Sequence, residues 1–444
     1  MAWEKLTPLV RDRYSPEDLD VLEDVLREAG LFDFPLLANG LHGAVSGGGE
    51  VGSVTGYCHT WVRDVVHVAE VRWRLGEVEG VGQTATSLLK WFVLQAPRFE
   101  VHIAGTADQS DPMSRPHVRF KGESLEESDE WWPHAQNDAL GYGLWFLCRS
   151  ALSGLHLPDI EGVDALGRFP RYFQSIAYWD DIDSGHWEET PKRNASSIGA
   201  VIAGLRAMRG LLRSDVFEAG RDRLASVGVN EGLLVDLVAR GQKALQQILP
   251  FESVNPDRPH LDRHADGALL FLIHPLWIVD PRMTGRIVDL VRKRLLGTHG
   301  IRRYEGDSYW CADYLRLFDE KTRTSGFQGD LSQRDAALKP GTEAQWSLFD
   351  PLLSVIFGRR YQATRGEADL VGQTHHFHRA LSFLTGEDHV LGPGRMPEAW
   401  YLPDSSQPDH WQPNDNVPLL WAQAQLVDAF LSMRASVGET EAEA

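Results

Sequence analysis

The chain has 444 residues, 43% of them hydrophobic and 24% charged, which is the ordinary globular range and enough length to bury a substantial core without staples. Acidic residues outnumber basic ones 63 to 44, a formal charge of −19 that repels nucleic acid and anionic membrane and suits a neutral substrate. Cys58, Cys148 and Cys311 are far apart and odd in number, so neither a disulfide framework nor a CxxC metal motif exists, and no cofactor or metal is expected. The N-terminus MAWEKLTPLVRDRY has no apolar signal core, and no apolar run is long enough to span a bilayer. A cytoplasmic location with reduced thiols is the expectation. The 15 tryptophans carry flat faces that suit sugar rings, although most of them are expected in the core.

In chain order the pattern is helix after helix. Ser15-Pro16-Glu17 reads as a cap with Pro in the first turn, opening an amphipathic helix over 17–30. Further helices are expected near 59–76, 82–96 and 133–152. Over 194–213, Ile198, Val201, Ile202, Leu205, Met208 and Leu212 recur at helical spacing behind Asn194 or Ser196 as cap. More follow near 232–249, 267–278, 282–296, 308–320, 343–360 and 371–386, and Val417, Leu420, Trp421, Ala424, Val427 and Leu431 mark a closing helix. Strand-like alternation is scarce. Long polar loops at 103–131, 179–194, 321–342 and 391–416 are the places to expect function. No linker divides the chain, so residues 1–435 are expected to form one domain, with a disordered acidic tail at 436–444. The spacing of helix pairs fits a toroid of hairpins.

Five constellations carry chemistry. In Tyr57-Cys58-His59-Thr60-Trp61-Val62-Arg63-Asp64, after the Gly-rich SGGGEVGSVTG, an Arg beside an Asp can grip several hydroxyls or simply salt-bridge a helix start. Trp131-Trp132, followed by Gln136, Asn137 and Asp138, offers an aromatic platform or a buried capping network. Gly185-His186-Trp187-Glu188-Glu189 pairs two carboxylates beside a Trp, an arrangement that raises a glutamate pKa for general-acid work, or else decorates a loop. Arg302-Arg303-Tyr304-Glu305-Gly306-Asp307-Ser308-Tyr309-Trp310 again gathers Arg, Asp and aromatics. Met396-Pro397-Glu398-Ala399-Trp400 fixes a Glu in a stiff aromatic loop, as a general base requires. His375, His376 and His378 do not share one helix face, which disfavours a metal site. Asn194-Ala195-Ser196 matches a glycosylation acceptor that has no meaning in a cytoplasmic chain.

Taken in this order, the five constellations resemble glycoside hydrolase family 15, the glucoamylases and their relatives, whose barrel is shared by the regulatory α and β subunits of phosphorylase kinase. The resemblance runs from about Tyr57 to Trp421. It implies an all-α (α/α)6 barrel, a six-hairpin toroid. It implies Glu188 as general acid and Glu398 as general base, catalytic in an inverting, exo-acting release of β-glucose from short malto- or isomalto-oligosaccharides. Arg63, Asp64 and Arg303 would hold the terminal sugar, and Trp61, Trp132 and Trp187 would wall the pocket. Tyr57 would orient the water, Tyr309 belongs to the matching Arg-Tyr…Asp…Tyr segment, and Glu189 would contact substrate or modulate a pKa. The partner implied is a small oligosaccharide, with neither nucleic acid nor membrane. Asn194-Ala195-Ser196-Ser197-Ile198-Gly199, Glu343-Ala344-Gln345-Trp346 and Pro418-Leu419-Leu420-Trp421 look more like the phosphorylase kinase branch. That branch supplies the alternative, a sugar-binding regulatory protein without hydrolysis.

Overall fold

The computed structural model describes residues 2–45, 56–319, 322–324 and 327–441. Helix α1 (Pro16–Glu28) starts as the sequence dictates: Ser15 Oγ accepts from the Asp18 N–H at 3.1 Å and the Asp18 carboxylate accepts from the Ser15 N–H at 3.0 Å, a reciprocal cap. The longer helices that follow are α2 (Val62–Arg74), α3 (Val78–Leu94), α4 (Asn137–Leu152), α5 (Ile160–Ser175), α6 (Ala195–Arg213), α7 (Glu231–Ile248), α8 (Pro281–Leu295), α9 (Phe349–Thr364), α10 (Glu367–Ser382) and α11 (Leu420–Glu441).

Burial sorts these into two rings. In α8 only Thr284, Ile287, Val288, Val291 and Leu295 are buried, one stripe at helical spacing, as an outer helix requires. In α4 and α6 nearly every residue of the first three turns is buried, so each is covered on all sides. Contacts run in a closed circuit: α2 to α4, α4 to α6, α6 to a 3-10 turn at Gly267–Leu272, that turn to α9, α9 to α11, and α11 back to α2. The outer elements α1, α3, α5, α7, α8 and α10 alternate with this inner six along the chain. This is the all-α (α/α)6 barrel that the sequence implied. The strands are short. Thr60–Trp61, Arg119–Lys121 and Glu126–Glu127 form one antiparallel sheet, and Gln345–Trp346, Ala399–Tyr401 and Gln412–Pro413 another. Their registers, Trp61 opposite Arg119 and Trp346 opposite Ala399, give order to the long loops 103–131 and 391–416.

Several expectations are corrected. The helix expected at 267–278 is a 3-10 turn ending at Leu272, because Pro275 lacks an N–H and disfavours helical backbone at His274. The helix expected at 308–320 shrinks to Tyr314–Leu317, since Trp310 and Asp313 adopt left-handed backbone (φ 55° and 66°). The one expected at 343–360 begins only at Phe349, because Gln345 and Trp346 pair as a strand. Helices at Ala96–Ile103, Ile160–Ser175 and Glu218–Ser226 were not anticipated, although Asp159 caps the second by accepting from the Gly162 N–H. The tail expected to be disordered from 436 continues α11 to Glu441. Met433 and Ser436 remain buried, so packing carries the helix onward. Residues 442–444 and residues 46–55 of the Gly-rich stretch lie outside the described residues.

The inner helices α4 and α6 cross at two glycines. A Cβ on Gly141 would meet the Ala200 carbonyl carbon at 2.4 Å and the Val201 nitrogen at 2.6 Å, and one on Gly204 would meet the Gly141 carbonyl oxygen at 2.8 Å. Both obstacles are backbone, so Gly141→Ala must push two inner helices apart. The expected loss is about 1–3 kcal/mol or more, read as a lowered denaturation midpoint, and an unchanged midpoint would contradict the close crossing.

Candidate active site

The inner elements run parallel, and their N-terminal ends meet in one pocket. Arg63 and Asp64 stand in the first turn of α2, and Asp138 in the first turn of α4. Trp421 is in the first turn of α11, while Glu188 ends the 3-10 turn Gly185–Trp187 ahead of α6. Helix N-termini present unsatisfied N–H groups and positive dipole ends, which favour carboxylates. The pocket is lined by Tyr57, Trp61, Arg63, Asp64, Trp132, Trp187, Glu188, Arg303, Tyr309 and Glu398 among the residues expected from sequence. It is also lined by His186, Arg334, Trp346, Leu419 and Trp421.

Glu188 has left-handed backbone (φ 60°, ψ 39°), a conformation that costs a non-glycine residue about 1–3 kcal/mol and that the surrounding structure must hold. Its side chain is 15% exposed, and Arg63 Nη1 reaches Oε1 at 3.4 Å. Burial raises its carboxyl pKa, Arg63 and Arg119 pull it down, Asp138 pushes it up, and the net direction is upward.

Glu398 is held differently. Tyr57 donates its hydroxyl to Oε1 at 2.8 Å, and Asn414 and Asn416 each donate a side-chain N–H to Oε2 at 2.7 Å. The Tyr57 and Tyr309 hydroxyls are themselves 2.9 Å apart. Burial raises the Glu398 pKa, and the three donors, which favour the ionised form, oppose it. Its loop is anchored by Ser347, whose N–H donates to the Glu398 carbonyl at 3.1 Å and whose hydroxyl donates to the Pro397 carbonyl at 2.5 Å.

The neighbours Arg63 and Asp64 have separate duties. Arg63 donates to Asp138 at 2.7 Å, to Gln136 at 2.9 Å and to the Gly185 carbonyl at 3.3 Å, so most of its guanidinium is spent on protein. Among the described residues no side chain donates to Asp64. Burial, with Glu188 and Glu398 nearby and Arg63 opposing, lifts the Asp64 carboxyl to about 7. Asp64 therefore faces the pocket with free acceptor capacity.

Aromatic rings wall the space. Trp61 and Trp132 meet edge to face at 5.9 Å, with the Arg119 guanidinium 4.1 Å above the Trp132 ring. Trp187 donates Nε1–H to Asp266 at 2.8 Å and packs against Trp346 at 5.9 Å. His186 stacks on Phe271 at 5.0 Å, and burial depresses its pKa to about 4, so the ring is neutral at pH 7.

Ten of the eleven expected residues come together. Glu189 lines not this pocket but an adjoining cavity that it shares with Glu188. Its carboxylate accepts from Arg303 at 2.8 Å, from Arg334 at 2.6 Å and from the Tyr304 hydroxyl, with Arg263 at 3.8 Å. Those partners occupy it. Arg303 also makes a two-pronged pair with Asp307 at 2.7 and 2.6 Å. Arg334, Asn414 and Asn416 were not anticipated. They lie inside loops recognised as functional, but a lone Arg or Asn in a polar loop carries no spacing signal. In the HHFH run, His376 Nδ1 lies 2.7 Å from Asp350, a buried pairing on the outer wall of the inner ring.

Burial pushes the Glu189 pKa up, but Arg303, Arg334 and Arg263 overrule it and hold the carboxyl well below its ordinary 4.5. A depressed folded-state pKa gives stability that is present above 4.5 and is lost as pH falls below it. Glu189→Gln leaves buried arginines short of a counter-charge, at an expected cost of about 3–5 kcal/mol at pH 7. The gap between wild type and variant, read from denaturation midpoints, should narrow as pH is lowered. A gap that stays constant down to acid pH would refute the ion-pair account.

Comparisons place this geometry among known proteins. Residues 39–226 match the model of glycosyl hydrolases family 15. The probable phosphorylase b kinase regulatory subunit alpha of Caenorhabditis elegans is 28% identical over 308 residues, covering 61% of this chain and 23% of that protein, so the chain spans about a quarter of its relative's length. A solved structure named Glycosidase Wild Type superposes with a TM-score of 0.65 at 19% identity, over 95% of this chain and 98% of its own. The glucoamylase of Saccharomycopsis fibuligera does so with a TM-score of 0.60 at 14% identity, over 97% of both chains. At such identities these two structures establish the fold, the glucoamylase-type (α/α)6 barrel, and the segment 39–226 is similar to glycosyl hydrolases family 15.

Proposed function

We propose that the chain is an inverting, exo-acting α-glucoside hydrolase that releases β-glucose from the non-reducing end of short malto- or isomalto-oligosaccharides. The observation that carries this reading is that Glu188 and Glu398 face one pocket from unlike environments. Glu188 is raised by burial and touched by a single distant cation, which suits a proton donor. Glu398 is gripped by three neutral donors that stabilise its carboxylate, which suits a base.

Glu188 delivers its proton to the glycosidic oxygen as the C1–O bond breaks. A water on the opposite face of the sugar gives its proton to Glu398 and forms the new bond to C1. Inversion leaves room for that water when the carboxyls stand about 6.5–9.5 Å apart. Asp64, to which no side chain donates among the described residues, accepts hydroxyls of the terminal sugar. The Trp61, Trp132 and Trp187 rings exclude bulk water and cover the apolar faces of the glycone. Arg63 and Arg303 set the positions of carboxylates around that sugar more than they donate to it.

The likeness to a phosphorylase kinase regulatory subunit favours one second reading, in which the same pocket binds glucose or an oligosaccharide without turnover. Glucose release from maltose, isomaltose, trehalose and short oligosaccharides separates the two. The hydrolase reading expects β-glucose from wild type. Glu188→Gln and Glu398→Gln should each lose about 10²–10⁴-fold in kcat. Sugar binding without release by wild type would favour the regulatory reading.

The pH profile gives an independent check. Both carboxyls are raised, so the optimum should sit above that of two ordinary glutamates. Tyr57→Phe removes a donor that favours the Glu398 carboxylate, so its pKa rises and the acid limb of kcat/KM moves to higher pH. An acid limb that stays in place would remove Glu398 from the role of base.

A further inference from the structure

A second cavity, of about 480 Å³, lies below the pocket inside the same inner ring. The residues that build it sit farther along the same helices. Arg74 ends α2, eleven residues after Arg63, and Arg149 stands in the last turn of α4. At 1.5 Å per residue this places them roughly 16 Å from the pocket end. The layer between is thin and aromatic: His67 lines the lower cavity and stacks at 5.0 Å on Trp421, which lines the pocket.

The lower cavity has an unbalanced charge. Arg149 pairs with Glu70 at 2.5 Å, and Arg74 with Asp428, to which His274 Nε2 also lies at 2.5 Å. Arg359 completes the group, and among the described residues no carboxylate pairs with it. Its guanidinium rests 4.2 Å above the ring of Trp277, a half-exposed residue with left-handed backbone (φ 51°). Three guanidiniums thus meet two carboxylates, in a chain whose formal charge is −19. Burial, and after it the repulsion of Arg359, disfavours the charged form of Arg74. Among the described residues, two buried ring nitrogens of this wall, His67 Nε2 and His274 Nδ1, have no hydrogen-bond partner. His67 is 2% and His274 6% exposed.

We propose that this cavity is a binding site for a phosphate group, held between Arg74 and Arg359. An oxyanion there turns a like-charge repulsion into two charge-assisted hydrogen bonds. The volume exceeds a bare phosphate, and Trp145 and Trp277 supply apolar walls, so a phosphorylated sugar fits the chemistry as well as inorganic phosphate does. The site is distinct from the pocket that holds Glu188 and Glu398, and its reality does not depend on hydrolysis.

Isothermal titration of the full chain with inorganic phosphate and with glucose 6-phosphate, at fixed ionic strength, tests it, with glucose as the neutral control. Arg359 is exposed on its outer side, so Arg359→Gln should fold, which circular dichroism verifies. Saturable phosphate binding is expected, weakened about tenfold or more in Arg359→Gln and unchanged in Glu398→Gln. Tighter binding of glucose 6-phosphate than of phosphate assigns the tryptophan walls to a sugar; equal binding assigns free phosphate. Absence of saturable phosphate binding, or binding that Arg359→Gln leaves intact, overturns the proposal. So does glucose binding that is lost in Arg359→Gln to the same degree.

Discussion

The pocket depends first on the burial of one cation. Arg63 is 2% exposed, and a guanidinium so enclosed must have its donors satisfied or the fold loses several kcal/mol. Its partners come from two parts of the chain: Gln136 and Asp138 at the start of α4, and the Gly185 carbonyl and Glu188 in one turn. Satisfying Arg63 therefore fixes α2 against α4 and pins the turn that delivers Glu188. The left-handed backbone at Glu188 is tolerable because this network, together with the glycine at 185 (φ 59°), leaves the turn no easier course. The position of the proposed acid follows from electrostatic necessity rather than from loop rigidity alone.

Glu188 and Glu189 are adjacent in sequence and opposite in character. One meets a single arginine at 3.4 Å and is raised; the other is enclosed by Arg303, Arg334 and Arg263 and is depressed. A pair of titratable groups whose surroundings push their pKa values apart is how a site assigns separate tasks to like residues. Glu189 also orders the opposite wall. By holding Arg303 and Arg334 it sets two cations beside Tyr309, whose hydroxyl meets Tyr57, which donates to Glu398. Of the two carboxyls proposed for catalysis, Glu188 is thus placed by a buried ion-pair cluster and Glu398 by neutral donors that such a cluster borders.

How much of this was legible in the sequence follows the same physics. Periodic apolar patterns located the inner helices well, because residues such as Ile198, Val201, Ile202 and Leu205 must all be buried. Motifs with fixed local spacing located Arg63, Asp64, Glu188 and Arg303. Boundaries failed where one backbone conformation decides, as at Pro275, Trp310 and Asp313, since a single left-handed residue or proline ends a helix whatever the pattern around it. The role of Glu189 stayed open between substrate contact and pKa modulator, because Arg334, 145 residues away, gives no sign in sequence that it will bind that carboxylate. Asn414 and Asn416 were missed for the same reason: their meaning lies in where Glu398 sits.

The parallel inner ring also bears on which charges sit at each end of its helices. N-terminal dipole ends at the pocket favour Asp64, Asp138 and Glu188, and C-terminal ends at the far side favour arginine. Arg74 is the last residue of α2 and Arg149 stands three before the end of α4, so both lie where the dipole acts and both have carboxylate partners. Arg359 is different. It precedes Thr364, the end of α9, by five residues, beyond the last turn in which the dipole is felt. Among the described residues no carboxylate pairs with it; stacking on Trp277 and solvent on its outer side hold it instead. A guanidinium held in this way keeps its hydrogen-bond donors available to an anion that enters the cavity.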